Sequence, residues 1–266
     1  MPDYDHILRG RLATQRNGRL DVRSGLHHFA LINYALPKAR LEPHLPTNRF
    51  EIPEFDINGR PLALMSAVPF VDVDFHFRRL FPFAKFRFGQ TNYRVYVFDK
   101  ERQEHCVWFF GTTLGSAVVY LARGAWRIPW HYARYQINCH YDQPAGRYTT
   151  YQYSVRSPWG AAEIDLEDTG EAIKQDSAAG FTSFAEMQLI LTHPVDGFFY
   201  RLDGQVGSYS VWHETIPMTV GKARNLYFGL YERLGLLSRE EMQRPHSVFL
   251  CPATEFVVFL PPKITR

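Results

Sequence analysis

Lysine is scarce in this chain of 266 residues: Lys38, Lys85, Lys100, Lys174, Lys222 and Lys263 are all of it, and every other basic residue besides histidine is arginine. An imine with a carbonyl substrate needs a primary amine, so few positions could carry that chemistry. Cysteine is scarcer. Cys106, Cys139 and Cys251 are odd in number, far apart and never spaced as C-x-x-C, which argues against a disulfide framework or a cysteine-rich zinc site and points to a reducing cytosol. A strong charge of one sign is also missing. The formal net charge is +3, with no wide basic field, so no nucleic-acid partner is expected. The opening stretch MPDYDHILRGRLATQRNGRL has no signal-peptide apolar core, and no apolar run approaches a membrane span. A cytoplasmic protein without a membrane partner is the expectation.

Catalytic signatures are missing too. His213-Glu214 has no second histidine to complete H-E-x-x-H, Ser116 and Ser208 lack the G-x-S-x-G elbow, and the glycines at 204 and 207 do not make a phosphate loop. The histidines at 27, 28, 131, 140 and 193 have no spacing that singles out zinc. Neither a metal nor a cofactor is expected.

What the chain does have is rings. Aromatic residues make up 15% of it and hydrophobic residues 45%, a composition that builds a large core and favours a small-molecule cavity over a flat docking surface. Residues 1–23 read as a polar N-terminal arm and 24–266 as one domain. Strands are predicted over 27–34, 50–57 and 61–77, the last two flanking Asn58-Gly59, a strong hairpin signal. Further strands are predicted over 88–98, 105–110, 130–141, 148–156, 197–202, 208–214, 247–251 and 255–260. Helical spacing marks 113–123 and 222–234, and Ser183 with Glu186 has the spacing of a capping box for a helix through Leu191. Many hairpins with a few inserted helices indicate an α+β class, a single antiparallel sheet curved into a cone or barrel.

Two stretches invite a sharper reading. VDVDFHF places Asp72, Asp74 and His76 at alternate positions, a pattern open to metal ligation but favoured as the solvated face of a strand that buries Val71, Val73, Phe75 and Phe77. FRRLFPFAKFRF interleaves cations with Phe81, Phe83, Phe86 and Phe88 around Pro82. Alternation cannot bury all four rings, so this segment is expected to fold over a cavity mouth or into the interface of a homodimer.

Read in order, HFALINYALPKARLEPHLP, ALMSAVPFV, TNYRVYV, CVWFF, WRIPWHYAR and SVWHETIPM resemble domain-of-unknown-function family 2071 (DUF2071), one of the acetoacetate decarboxylase-like proteins. The resemblance implies a β-cone or barrel around a central cavity for a small organic ligand, anionic or carbonyl-containing. Acetoacetate decarboxylases carry E-x-x-G-x-P-K-K at the corner matched here by RGAWRIPWH. Its proline falls on Pro129, its two lysines on Trp130 and His131, its glycine on Arg127 and its acid on Gly124. A glutamate of the decarboxylases lies near Gln90 and Asn92, both neutral amides here. The resemblance therefore implies the scaffold without the Schiff-base lysine, and no lysine is expected to line the cavity. Gln90, Asn92, Arg94, Trp108, Trp126, Trp130 and His213 are the candidate ligand contacts. In an alternative reading the protein is an enzyme with His131 as general acid or base in proton-transfer or hydration-type chemistry.

Overall fold

The structure, a computed structural model, describes residues 2–13, 18, 20–79 and 82–265. Its strands are β1 (Val22–Leu36), β2 (Phe50–Glu51), β3 (Phe55–Ile57), β4 (Arg60–Phe77), β5 (Phe86–Asp99), β6 (Glu104–Leu114) and β7 (Trp130–Tyr132). They continue as β8 (Arg134–Asp142), β9 (Arg147–Arg156), β10 (Ala162–Ala172), β11 (Asp196–Tyr200), β12 (Val206–Trp212), β13 (Thr219–Phe228) and β14 (Ser247–Thr265). The helices are short: α1 (Tyr4–Ala13), α2 (Val118–Trp126), α3 (Phe184–Met187), α4 (Gly229–Arg233) and α5 (Arg239–Met242), with a π-helical turn at Gln188–Thr192. No helix among the described residues is long and apolar enough to cross a membrane.

Ladders run from β1 through β4, β5, β6, β11 and β12 to β14, and β14 pairs back onto β1, with Val22 opposite Val258 and Asn33 opposite Ser247. The hydrogen-bonded path therefore returns to its start. From β14 it also branches through β13 to β10, β9 and β8. This branch covers one side of the circuit, where Tyr151, Tyr153, Ile164 and Phe228 pack with Ala30, Ile32, Met65, Ala67 and Val95. The opposite side chains of the same strands, among them Leu31, Leu64, Val68, Phe70 and Tyr96, belong to a second cluster with Val107, Phe199 and Phe249. Both faces of β4 are thus buried, which is why ALMSAVPFV is apolar almost without interruption.

The sheet is mixed rather than purely antiparallel, because β6 runs parallel to both β7 and β11. The Asn58-Gly59 hairpin forms as predicted, with both residues at positive φ, 55° and 77°. Residues 222–234 are not one helix: β13 occupies them up to Phe228 and only α4 follows, since pairing with β10 overrides local helical spacing. Helix 113–123 starts late, at Val118, because β6 continues through Leu114. The two final strands are the single strand β14, and β10 had no counterpart in the sequence reading. Within 1–23 the chain forms α1, whose Arg11 donates to the carbonyl oxygen of His105 at 2.9 Å, and Val22 and Arg23 already belong to β1.

Candidate functional site

Strands β4 and β5 supply one wall of a central cavity. Arg94, Asn92 and Gln90 stand opposite Ser66, Val68 and Phe70 in the antiparallel ladder, and alternation turns all three β5 side chains to the same face. Gln90 Nε2 donates to Asn92 Oδ1 at 3.0 Å, and Thr112 Oγ1 donates to the same oxygen at 2.8 Å. Arg94 Nε donates to Ser66 Oγ at 3.0 Å and its Nη2 to the Leu191 carbonyl at 3.1 Å. The π-helical turn thereby anchors the guanidinium through Leu191. Nη1 makes no hydrogen bond among the described residues, and no carboxylate pairs with Arg94 there.

Valines, leucines and phenylalanines of β1, β4, β6, β12 and β14 make most of the remaining wall of a cavity of about 100 Å³. Trp130 reaches this wall from β7, and His213 from the end of β12. His213 is buried, stacked on Phe256 with ring centroids 4.1 Å apart, and 4.4 Å from the ring of His193. Its Nδ1 lies 2.7 Å from the Glu214 carbonyl, so Nδ1 carries the proton and Nε2 is left as an acceptor. Burial, with His193 and Arg94 nearby, pushes its pKa down to about 3.

Three sequence candidates lie elsewhere. Residues 130–132 form β7, so His131 faces away from Trp130 and stacks on Trp159 at 4.0 Å between centroids. Burial and the cations Arg123 and Arg233 push its pKa down to about 4. Trp108 has the opposite parity to the cavity-lining Val107 and Phe109, and its ring packs on Phe50 and Tyr200. Trp126 ends α2 and packs against the apolar cluster without lining the cavity. None of the six lysines lines it. Glu186 caps its helix: Oε2 accepts from the Thr182 amide and hydroxyl at 2.6 Å each, while Ser183 Oγ accepts from the Glu186 amide.

Asp72, expected on a solvated strand face, is instead a buried residue of the cavity wall. It shares parity with Val68 and Phe70, with Oδ1 accepting from Ser24 Oγ at 2.7 Å. A bulge beyond it, marked by Asp74 at φ 55°, reverses the alternation, so Phe75 also faces the cavity while Asp74 is exposed and pairs with Lys85. Asp72, Asp74 and His76 do not share a solvated face. Among the described residues no group of three or more histidines, cysteines or carboxylates is placed to hold a metal ion. In the phenylalanine-rich stretch Phe88 is buried against Phe75, Phe86 is 44% exposed and Phe83 80% exposed; Phe81 lies outside the described residues.

This architecture is that of the acetoacetate decarboxylase-like proteins. The enduracididine biosynthesis enzyme MppR complexed with pyruvate superposes with a TM-score of 0.60 at 12% identity, over 95% of this chain and 92% of that one. The acetoacetate decarboxylase of Legionella pneumophila gives 0.55 at 13% identity, over 96% and 92%. An acetoacetate decarboxylase-like enzyme from Sphingomonas wittichii gives 0.56 at 9%, over 94% of each chain. None of the curated proteins matches in sequence. The model of DUF2071, described as an uncharacterized conserved protein, matches residues 23–255, and the chain belongs to that family.

Proposed function

We propose that the closed circuit of strands works as a β-barrel whose cavity binds a small anionic organic molecule. The observation that carries this is Arg94: a half-buried cation in an apolar cavity, with a free Nη1 and no acidic partner among the described residues. A half-buried cation held only by neutral groups (Ser66, the Leu191 carbonyl and the Tyr96 ring) is completed by a counter-charge, and a ligand carboxylate supplies it. Gln90, Asn92 and His213 offer orienting hydrogen bonds beside it, and Trp130 gives an apolar contact at the position where the resemblance to the decarboxylases would put their reactive lysine. Without an amine at that wall the cavity has no group to form an imine, so the reading is a binding protein rather than a decarboxylase. An enzyme working through His131 would need its substrate on the other face of β7, where the ring is already stacked on Trp159.

Calorimetric titration with decanoate, an anionic head on an apolar chain, tests this. The wild-type protein is expected to bind it, and Arg94→Gln to weaken binding roughly 10- to 100-fold, the usual worth of a hydrogen bond to a charged group. Absence of binding, or binding indifferent to that substitution, overturns the reading. Borohydride treatment in the presence of acetoacetate should leave the protein mass unchanged, and a stable adduct on a lysine would contradict the assignment of the wall.

A further inference from the structure

The end of the cavity remote from Arg94 holds a polar group that the fold itself does not explain. Asp72 Oδ1 is satisfied by Ser24, but Oδ2 is buried and has no hydrogen-bond partner among the described residues. A buried polar atom left unpaired costs about 1–3 kcal/mol, and here it belongs to a side chain lining a cavity. We propose that Asp72, backed by Ser24, is a second ligand contact, and that the molecule held by Arg94 carries a hydroxyl group at its far end. This rests on the reading of Arg94 given above.

The spacing and the chemistry both bear on the ligand. Arg94 stands opposite Ser66, and Asp72 lies six residues further along β4, roughly 20 Å at a strand's usual rise. The two side chains shorten that gap from either end. Between them the wall is Val68, Phe70, Asn92 and Gln90, with Tyr209 facing from β12 and within electrostatic reach of both charges. No lysine or arginine pairs with Asp72 among the described residues, and Val22, Leu26, Phe75 and Val258 surround that end of the cavity. A hydroxyl both donates and accepts, so it serves a carboxyl in either protonation state. An acid head, an apolar middle and a terminal hydroxyl match the order of groups along the wall.

The test compares 10-hydroxydecanoate with undecanoate, which has a methyl group where the first has its hydroxyl. Apolar walls alone favour the methyl. The wild-type protein is expected to bind the hydroxy acid about tenfold more tightly by calorimetry, the worth of one well-made hydrogen bond. Asp72→Leu is expected to abolish or invert that preference while undecanoate still binds. Undecanoate bound as well as or better than the hydroxy acid by the wild-type protein overturns the proposal, and needs no variant to fold. A preference that survives Asp72→Leu does so as well. If the wild-type protein binds neither acid, the Arg94 reading fails and this one falls with it, an outcome distinct from binding without preference.

Discussion

Burial lifts the Asp72 carboxyl from its ordinary 3.8 to about 7, with the Ser24 hydrogen bond pulling the other way. Between those two values the unfolded chain has lost this proton and the folded chain has kept it. The folded state therefore binds more protons, and this group's contribution to stability is full below pH 4 and lost as pH rises through 7. Asp72→Asn removes the titration. Its stability relative to wild type is expected to improve between pH 4 and pH 8 by up to about 4 kcal/mol, at roughly 1.4 kcal/mol per unit, read from urea unfolding at each pH. A difference that stays flat across that range would contradict the buried carboxyl. The same residue shows what the sequence did and did not reveal. Alternation along VPFVDV puts Asp72 with Val68 and Phe70, but the reversal at Asp74 is a backbone event with no side-chain signature. Gln90, Asn92, Arg94 and Trp130 came from matching the strand and corner of a known fold. Trp108 and His131 are one residue out of phase with the cavity face, a distinction that ring content does not carry.

Short helices in this fold hold their shape through their ends. α3 has only four residues, and its first turn depends on Ser183 Oγ and on the Glu186 carboxylate that folds back to Thr182. It leads directly into the π-helical turn whose Leu191 carbonyl holds Arg94. Ser183→Ala is expected to cost about 1 kcal/mol of stability, as N-cap removal usually does, measurable as a lowered denaturant midpoint; an unchanged midpoint would show that the turn is held from elsewhere. This cap was legible because its two residues are three apart in sequence. The strand nature of 219–228 was not. Gly221, Leu226 and Phe228 face inward in β13, yet the same segment spaces Ala223, Leu226, Leu230 and Leu234 like a helix, and only β10 lying alongside decides between them.

Across the whole molecule, the buried His193 and His213 and the half-buried His131 set the response to acid. Burial is the first cause in each case and holds His213 at about 3 and His131 and His193 at about 4, against 6.5 when exposed. The unfolded chain takes up these protons near pH 6.5 and the folded chain resists, so the stability they give is full above 6.5 and is lost as pH falls toward 4. Three such groups outweigh the opposite trend of Asp72. The melting temperature is expected to fall between pH 7 and pH 5, and a constant or rising value in differential scanning calorimetry would count against neutral, buried rings.

The return of β14 onto β1 has a consequence for how the chain is made. Leu31 pairs with Phe249 and Ala30 with Leu250, partners far apart in sequence. During synthesis β1 emerges long before its partner, so one flank of β1 stays unpaired until β14 has been made. An open apolar strand edge is a template for association with other chains, and pairing this distant in sequence forms slowly. β14 also supplies the partner for β12 and β13, so three edges wait on one segment. A nascent chain arrested before β14 presents all three at once, which makes the arrival of β14 the step that turns a sticky intermediate into a sealed circuit of strands.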